Sequence, residues 1–117
     1  LVEQSFIILF IFLGHLFPIW IRFKGGKGIA VIIGCLFGYN FFYGLIFSLV
    51  WLITAIVSKY SSLSALVASL SILIIIYLDN DNIFLIILLM VIMIFFKHIS
   101  NIKRLVRGDE LKINLKK

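Results

Sequence analysis

The chain has 117 residues, of which 63% are hydrophobic and only 14% are charged, and its formal net charge is +6. Too few polar side chains are present to cover the outer faces of a water-soluble domain, so the composition excludes an ordinary soluble enzyme. It predicts an integral membrane protein. The single cysteine excludes an internal disulfide.

Five apolar runs follow one another along the chain, at 5–21, 29–38, 41–57, 63–78 and 83–96. A helix needs about 20 apolar residues to cross a bilayer, with about 17 as the lower limit. The first and third runs reach that length, the fourth and fifth approach it with their flanking residues, and the second is too short. We therefore expect one all-α domain over residues 1–117. It is a polytopic transmembrane helix bundle of about five apolar segments, in which the short second segment crosses only part of the bilayer.

The basic residues are confined to three segments: a loop at 22–27, the polar break at Lys59, and the tail at 97–117. The alternate turns, 39–40 and 79–82, contain none. If each apolar run changes side, the three basic segments lie on one face of the membrane. The positive-inside rule predicts that this face is cytoplasmic.

The tail is expected to be a cytoplasmic juxtamembrane segment. Apolar and basic residues alternate in it with helical spacing, and Gly108 is a typical helix terminator. We expect a short helix that ends at this glycine and lies along the inner leaflet.

A glycine- and lysine-rich loop follows Pro18 and precedes the second apolar run. Glycines let backbone N–H groups turn towards a ligand, and the next run offers a helix N-terminus, and both features favour a phosphate. The candidate phosphate-binding residues are Lys24, Gly25, Gly26, Lys27 and Gly28. The loop is not a nucleotide-binding P-loop, because Lys27 is followed by glycine rather than Ser or Thr. A flexible, positive-inside loop without a ligand explains the same residues equally well.

Two further polar residues lie at the expected cytoplasmic ends of apolar runs. His15 is ionisable and lies inside the first run, a position that favours function. We favour a neutral histidine that bonds a neighbouring helix and supports the loop. Ser62 precedes the fourth run and is expected to cap its helix, although its hydroxyl could equally donate to a phosphate.

His98 and Asn101 follow the fifth run and lie three residues apart, on the same side of a helical turn. A histidine can accept a proton near neutral pH, and an asparagine can stabilise a reacting oxygen. A polar juxtamembrane segment without chemistry is the alternative. Two histidines without a cluster of cysteines or carboxylates argue against a metal site.

Three segments, in order, resemble one family. Residues 14–30 resemble the G-H-x-F-P-x-F-x-x-F-K-G-G-K-G-[VI]-A signature of the bacterial acyl-phosphate-dependent glycerol-3-phosphate acyltransferases, the PlsY family, with Trp20 where Phe is usual. Residues 59–64 are similar to the first six positions of the family's R-x-x-S-L-x-S, with Lys59 for Arg. The tail is similar to H-R-x-N-I-x-R-L-x-x-G-x-E, with Ile99 for Arg. Its matching residues are His98, Asn101, Ile102, Arg104, Leu105, Gly108 and Glu110.

The family pattern contains one more loop, with a Ser, an Arg and a G-x-x-N-x-G-x-T-N-like run, which nothing in this chain matches. We therefore expect an N-terminally incomplete chain that corresponds to the C-terminal portion of such an enzyme. A truncated, catalytically inactive relative is the first alternative. A small anion-binding membrane transporter subunit is a weaker one.

The resemblance implies a reaction at the bacterial inner membrane in which an acyl phosphate acylates the 1-hydroxyl of glycerol 3-phosphate. The products are lysophosphatidic acid and phosphate, and the resemblance implies no cofactor, CoA, acyl carrier protein, metal or nucleic acid. It places His98 and Asn101 at the reacting centre and the loop residues with Ser62 at phosphate, while His15 and Arg104 support the site. Either His98 or a substrate phosphate takes the proton. Acyl-chain preference and oligomeric state stay open.

Overall fold

The structure is a computed structural model that describes residues 28–113 of the chain. The first apolar run and the loop up to Lys27 lie outside the described residues. Every regular element within them is a helix: α1, Ile29–Tyr39; α2, Phe41–Ser58; α3, Ser61–Leu78; α4, Phe84–Lys97; and α5, Ile99–Arg107. The predicted all-α class is confirmed.

Two of these helices, α2 and α3, are long and apolar enough to cross a membrane, with 18 residues each. Together α4 and α5 meet the same criterion, but they bend by 57° at the break between them. The bend at His98 separates an apolar helix from a basic one. α1 has only 11 residues, as the short second run predicts.

Local sequence explains where the first helices begin and end. Gly28 precedes α1 with φ of 91°, a left-handed conformation that glycine adopts without strain. Asn40 separates α1 from α2, and its side-chain oxygen accepts the N–H of Phe42 at 3.0 Å, which is the usual N-cap bond. The expectation that Ser62 caps α3 is wrong, because the helix begins at Ser61, two residues earlier than a cap at Ser62 requires, and Tyr60 occupies the cap position.

The end of α5 agrees with the sequence. Gly108 has φ of 83°, and its N–H donates to the carbonyl of Leu105 at 3.2 Å. The next N–H, of Asp109, donates to the carbonyl of Arg104 at 2.9 Å. This pair of bonds is the Schellman motif, which ends the helix and turns the chain back.

α3 lies at the centre of the bundle and packs against α2, α4 and α5, while α1 packs against α2. Small side chains on α3, including Ala65, Ala68 and Ser69, let its neighbours approach closely. The largest fully buried side chains come from α1 to α4 and from the turn before α4: Ile32, Leu36, Phe47, Ile72, Ile76, Ile83, Ile87, Met90 and Ile94. Burial of this apolar surface fixes the packing of the described helices.

The two ends of the bundle differ in charge. At one end, the α1–α2 turn meets the α3–α4 turn, where Tyr39 donates to Asp81 at 2.5 Å and Tyr43 lies 3.0 Å from Asp79. At the other end, the N–H of Ile113 in the tail donates to the carbonyl of Lys59 at 2.7 Å. The basic segments within residues 28–113 therefore share one end of the bundle.

Candidate active site

A carboxylate from the tail joins three side chains at the basic end. Glu110 accepts from Ser62 Oγ at 2.6 Å and from Asn101 Nδ2 at 2.8 Å, both through Oε2, and from Arg104 Nε at 2.6 Å through Oε1. We call these four residues the Glu110 junction. It ties the tail to the start of α3 and to one side of α5.

The Glu110 junction fixes the charge of its carboxylate. Burial alone would raise the pKa of Glu110, because it penalises the charged form. The hydrogen bonds from Ser62, Asn101 and Arg104 and the positive charge of Arg104 outweigh burial and lower the pKa to about 2. The carboxylate is therefore ionised at neutral pH.

His98 lies at the bend between α4 and α5 and is only 4% exposed. Its Nδ1 lies 2.8 Å from the carbonyl oxygen of Ile94. A carbonyl oxygen can only accept, so Nδ1 carries the hydrogen of this bond. The basic lone pair of the neutral ring is then on Nε2, and the backbone of α4 sets the direction in which it points.

A cavity of about 300 Å³ adjoins His98. Its lining consists of Ile29, Ala30, Ile33, Trp51, Ser61, Ala65 and His98. Ile29 directly follows Gly28, the last residue of the glycine- and lysine-rich loop. The first residue after that loop and His98 therefore line one cavity.

The predicted site residues fall into two groups. His15, Lys24, Gly25, Gly26 and Lys27 lie outside the described residues. Gly28, Ser62, His98, Asn101 and Arg104 are described, and all of them lie at the basic end.

The described candidates make contacts that the sequence did not specify. The hydroxyl hydrogen of Ser62 is donated to Glu110, so a bond from it to phosphate requires a change of partner. Arg104 Nε forms an ion pair with the same carboxylate at 2.6 Å, and its supporting role stays a prediction. One amide hydrogen of Asn101 is also donated there, and this bond fixes the plane of the amide.

Sequence reasoning did not single out Glu110 as the residue that organises the tail. A signal was available, because Glu110 is one of only five acidic residues and stands among basic ones, two positions after the glycine that ends α5. Its partner Ser62 is 48 positions away, which no local pattern reveals.

A sequence profile described as glycerol-3-phosphate acyltransferase matches residues 1–108. The chain belongs to the glycerol-3-phosphate acyltransferase family. The match runs from the first residue to Gly108, which ends α5. It therefore includes the glycine- and lysine-rich loop, the apolar run that forms α3, and the part of the tail up to Gly108.

Named glycerol-3-phosphate acyltransferases are similar over most of this chain. The protein from Pelagibacter ubique (strain HTCC1062) is 48% identical over 106 residues, which are 89% of this chain and 54% of that protein. The protein from Brucella canis is 47% identical over 106 residues, which are 90% of this chain and 53% of that protein. The chain therefore spans about half the length of these relatives.

Solved structures of the glycerol-3-phosphate acyltransferase family share the fold. Crystal structures of PlsY (YgiH), an integral membrane glycerol 3-phosphate acyltransferase, match with 31% identity and a TM-score of 0.78. The match covers 87% of this chain and 52% of the chain in the glycerol 3-phosphate form, or 53% of the chain in the lysophosphatidic acid form. Together with the apolar spans α2 and α3, this match identifies an integral membrane protein.

Proposed function

We propose that this chain forms a catalytic part of an acyltransferase that moves a fatty acyl group from acyl phosphate to the 1-hydroxyl of glycerol 3-phosphate. One observation carries the proposal: His98 and the residue that follows the glycine- and lysine-rich loop line the same cavity. A group that can accept a proton then lies beside a segment suited to phosphate, as transfer between two phosphorylated substrates requires.

In the proposed reaction, the hydroxyl oxygen of glycerol 3-phosphate attacks the acyl carbonyl carbon. A new carbon–oxygen bond forms, and the bond between that carbon and the phosphate oxygen breaks, so inorganic phosphate leaves with the electron pair. The hydroxyl proton passes to Nε2 of His98 or to a substrate phosphate oxygen. Lysophosphatidic acid and phosphate are the products, and the step needs no metal or cofactor.

Asn101 is proposed to stabilise the oxygen on which negative charge develops. Donors held in place before the reaction lower the barrier most, and loss of one typically costs about 10²–10³ in rate. The 2.8 Å hydrogen bond that Asn101 Nδ2 donates to Glu110 supports this role, because it holds the side-chain amide in one orientation.

The phosphate groups are proposed to bind Lys24, Lys27 and the backbone N–H groups of the loop glycines, with Ser62 as a further donor. The position of Gly28 supports this, because it directly precedes the N-terminus of α1, where partial positive charge favours an anion. His15 and Arg104 are proposed to support the site without contacting the reacting atoms.

We further propose that residues 1–117 act as one domain in the bacterial inner membrane, with the motif loops and the tail at 97–117 on the cytoplasmic side. The clustering of basic segments at one end supports this orientation through the positive-inside rule. The attachment of the tail to α3 through Glu110 supports a single unit.

The proposal is tested with the chain, preceded by any residues that its gene encodes before Leu1, reconstituted in lipid vesicles. Palmitoyl phosphate and glycerol 3-phosphate are supplied, and lysophosphatidic acid and released phosphate are measured together. Equal amounts of both products are expected. A folded protein that forms neither product indicates an inactive relative, and movement of phosphate across the vesicle without acylation indicates the transporter alternative.

A further inference from the structure

Exposed apolar side chains form a stripe along α4 that resumes on α5. On α4 they recur three or four residues apart, which keeps them on one side of the helix. They are Leu85, Leu89, Ile92 and Phe96 on α4, and Ile99 and Val106 on α5. Each of them is at least 40% exposed. An integral membrane protein turns exposed apolar surface towards lipid, so the stripe indicates which side of these two helices faces the bilayer.

Two positive charges join this stripe on α5. Lys103 follows Ile99 by four residues, and Arg107 follows Lys103 by four, so both lie on the side of α5 that carries Ile99 and Val106. Both basic side chains are exposed. Neither forms an ion pair with an acidic side chain within residues 28–113. The outward side of α5 therefore combines an apolar stripe with two cations that are open to an external anion.

The opposite side of α5 is fixed against the protein. Ile102 and Leu105 pack against the apolar core, while Asn101 and Arg104 bond to Glu110. These contacts prevent the outward side from rotating inwards. The helix also bends away from α4 by 57°, so it runs nearer to the membrane plane than α4 does. A helix in this position, with an apolar stripe beside basic residues, has the arrangement of an interfacial membrane helix.

We propose that the outward side of α5, formed by Ile99, Lys103, Val106 and Arg107, binds anionic phospholipid in the leaflet at the basic end of the bundle. The apolar stripe sets the depth of the helix, and the two cations meet the lipid phosphates. A lipid with a net negative charge, such as phosphatidylglycerol, is favoured over phosphatidylcholine, whose own ammonium group cancels the phosphate charge. Each basic residue near an anionic membrane surface strengthens binding by about fivefold.

This inference goes beyond the proposed acyl transfer and does not depend on it. The outward side of α5 faces away from Asn101, and lipid binding is measured without either substrate. A protein that selects anionic lipid but forms no lysophosphatidic acid would support this inference and contradict the proposed function. The reverse result would do the opposite.

The test measures how strongly anionic lipid is enriched next to residue 106. The chain, preceded by any residues that its gene encodes before Leu1, carries Cys35→Ala and Val106→Cys, and any further cysteine is replaced as well. A bimane fluorophore is attached at residue 106, and the protein is reconstituted in phosphatidylcholine vesicles with a minor fraction of phosphatidylglycerol. Bromine atoms on the acyl chains of one lipid or the other quench the fluorophore on contact. The ratio of the two quenching efficiencies, corrected for vesicle composition, is the enrichment.

Phosphatidylglycerol is expected to be enriched about tenfold or more over phosphatidylcholine, and the enrichment is expected to fall as the ionic strength rises. An enrichment near one in the starting protein overturns the inference. Absence of quenching by either lipid shows that water or another protein segment covers this side of α5, which also overturns it.

Two double variants locate the binding surface. Lys103→Gln with Arg107→Gln is expected to reduce the enrichment to about one, because both cations of the outward side are lost. Lys59→Gln with Lys112→Gln is the matched control, which removes the same charge from the same end of the bundle. Lys59 follows the last residue of α2, and the Lys112 ammonium lies 5.8 Å from the centre of the Tyr60 ring. The control is expected to keep most of the enrichment.

Equal losses in the two double variants would show a general attraction to positive charge and overturn the assignment to α5. The exchange of Lys103→Arg with Arg107→Lys keeps both charges and is expected to keep the enrichment. Loss of enrichment in this charge-conserving variant, with an unchanged unfolding temperature, would likewise overturn the inference.

Discussion

Ser62 at the start of α3 donates a 2.6 Å hydrogen bond to Glu110 in the tail, across 48 positions of the chain. This bond brings the segment after α5 against the bundle. The same carboxylate holds Asn101, so a contact outside the apolar core sets the position of a residue proposed to act in catalysis.

Replacing Glu110 with Gln is expected to lower both stability and activity. The neutral amide keeps one acceptor oxygen but loses the negative charge. Its NH₂ group can only donate, yet it faces groups that also donate, those of Ser62, Asn101 and Arg104. We expect a loss of about 2 kcal/mol, kept modest because the Arg104 side chain is 41% exposed and its ion pair is partly screened. Thermal unfolding of the purified protein measures the change.

Asp109→Asn is the matched control for this change. It removes a neighbouring carboxylate whose side chain is exposed, and it keeps the backbone N–H that caps α5. If both variants unfold at the same temperature, the Glu110 junction does not stabilise the tail.

The Glu110 junction also predicts how stability depends on pH. The pKa of Glu110 is about 2 in the folded protein, below its ordinary value of 4.5. A group whose pKa is lowered by folding contributes stability above its unfolded pKa and loses it as the pH falls towards the folded one. The unfolding temperature is expected to fall between about pH 4.5 and pH 2, and less steeply in Glu110→Gln.

Asp81, at the opposite end of the bundle, is also expected to contribute to the loss of stability as the pH falls. Burial favours its protonated form, but hydrogen bonds, led by that from Tyr39, outweigh burial and lower the pKa. Glu110→Gln should therefore reduce the slope without removing it. An unchanged slope in that variant would contradict the assigned protonation of Glu110.

The contacts between the α1–α2 turn and the α3–α4 turn are expected to support stability without affecting catalysis. Tyr43 is 4% exposed, and its hydroxyl lies 3.0 Å from both Asp79 and Asp81. Tyr43→Phe is expected to cost about 1.5 kcal/mol, since bonds to charged groups are the stronger ones. Acyl transfer is expected to persist, because α4 separates this end from His98 by about 20 Å.

Tyr77→Phe is the control for this change, because Tyr77 is 63% exposed and its ring contact with Phe84 survives the substitution. Equal unfolding temperatures for the two variants would show that the Tyr43 hydroxyl bonds contribute nothing. A large loss of acyl transfer in Tyr43→Phe would contradict the separation of the two ends.

Lys27 is expected to act through phosphate binding. Lys27→Gln removes a positive charge from the loop and is expected to lower kcat/KM for glycerol 3-phosphate by about tenfold or more, because a charge-assisted bond is lost. Lys103→Gln removes the same charge from the exposed surface of α5 and serves as control. If Lys27→Gln and Lys103→Gln have equal kcat/KM for glycerol 3-phosphate, Lys27 does not belong to the proposed phosphate site.

The sequence specified the helices better than the contacts between them. Apolar run length predicted the short α1 and the longer α2 and α3, and Gly108 marked the end of α5, because these features depend on local composition. The start of α3 was misplaced, because Tyr60 rather than a serine takes the cap position. Cap preference is a weak local tendency that packing overrides.

The site itself was only partly predictable. The spacing of His98 and Asn101 made them candidates, and the described structure places both at the basic end. Their role in the reaction stays a prediction. The Glu110 junction and the cavity at Trp51 arise from residues far apart in sequence, so only the packing of α1, α2 and α3 brings them together. No local periodicity encodes such contacts.

The most direct test of acyl transfer at His98 is the initial rate of lysophosphatidic acid formation by the wild type and by His98→Ala in the same vesicles. The wild type is expected to form product, and the variant is expected to be slower by about 10²–10⁴, the usual contribution of a general base. The variant must match the wild type in membrane insertion and unfolding temperature. A correctly inserted His98→Ala protein with the full wild-type rate would contradict the account.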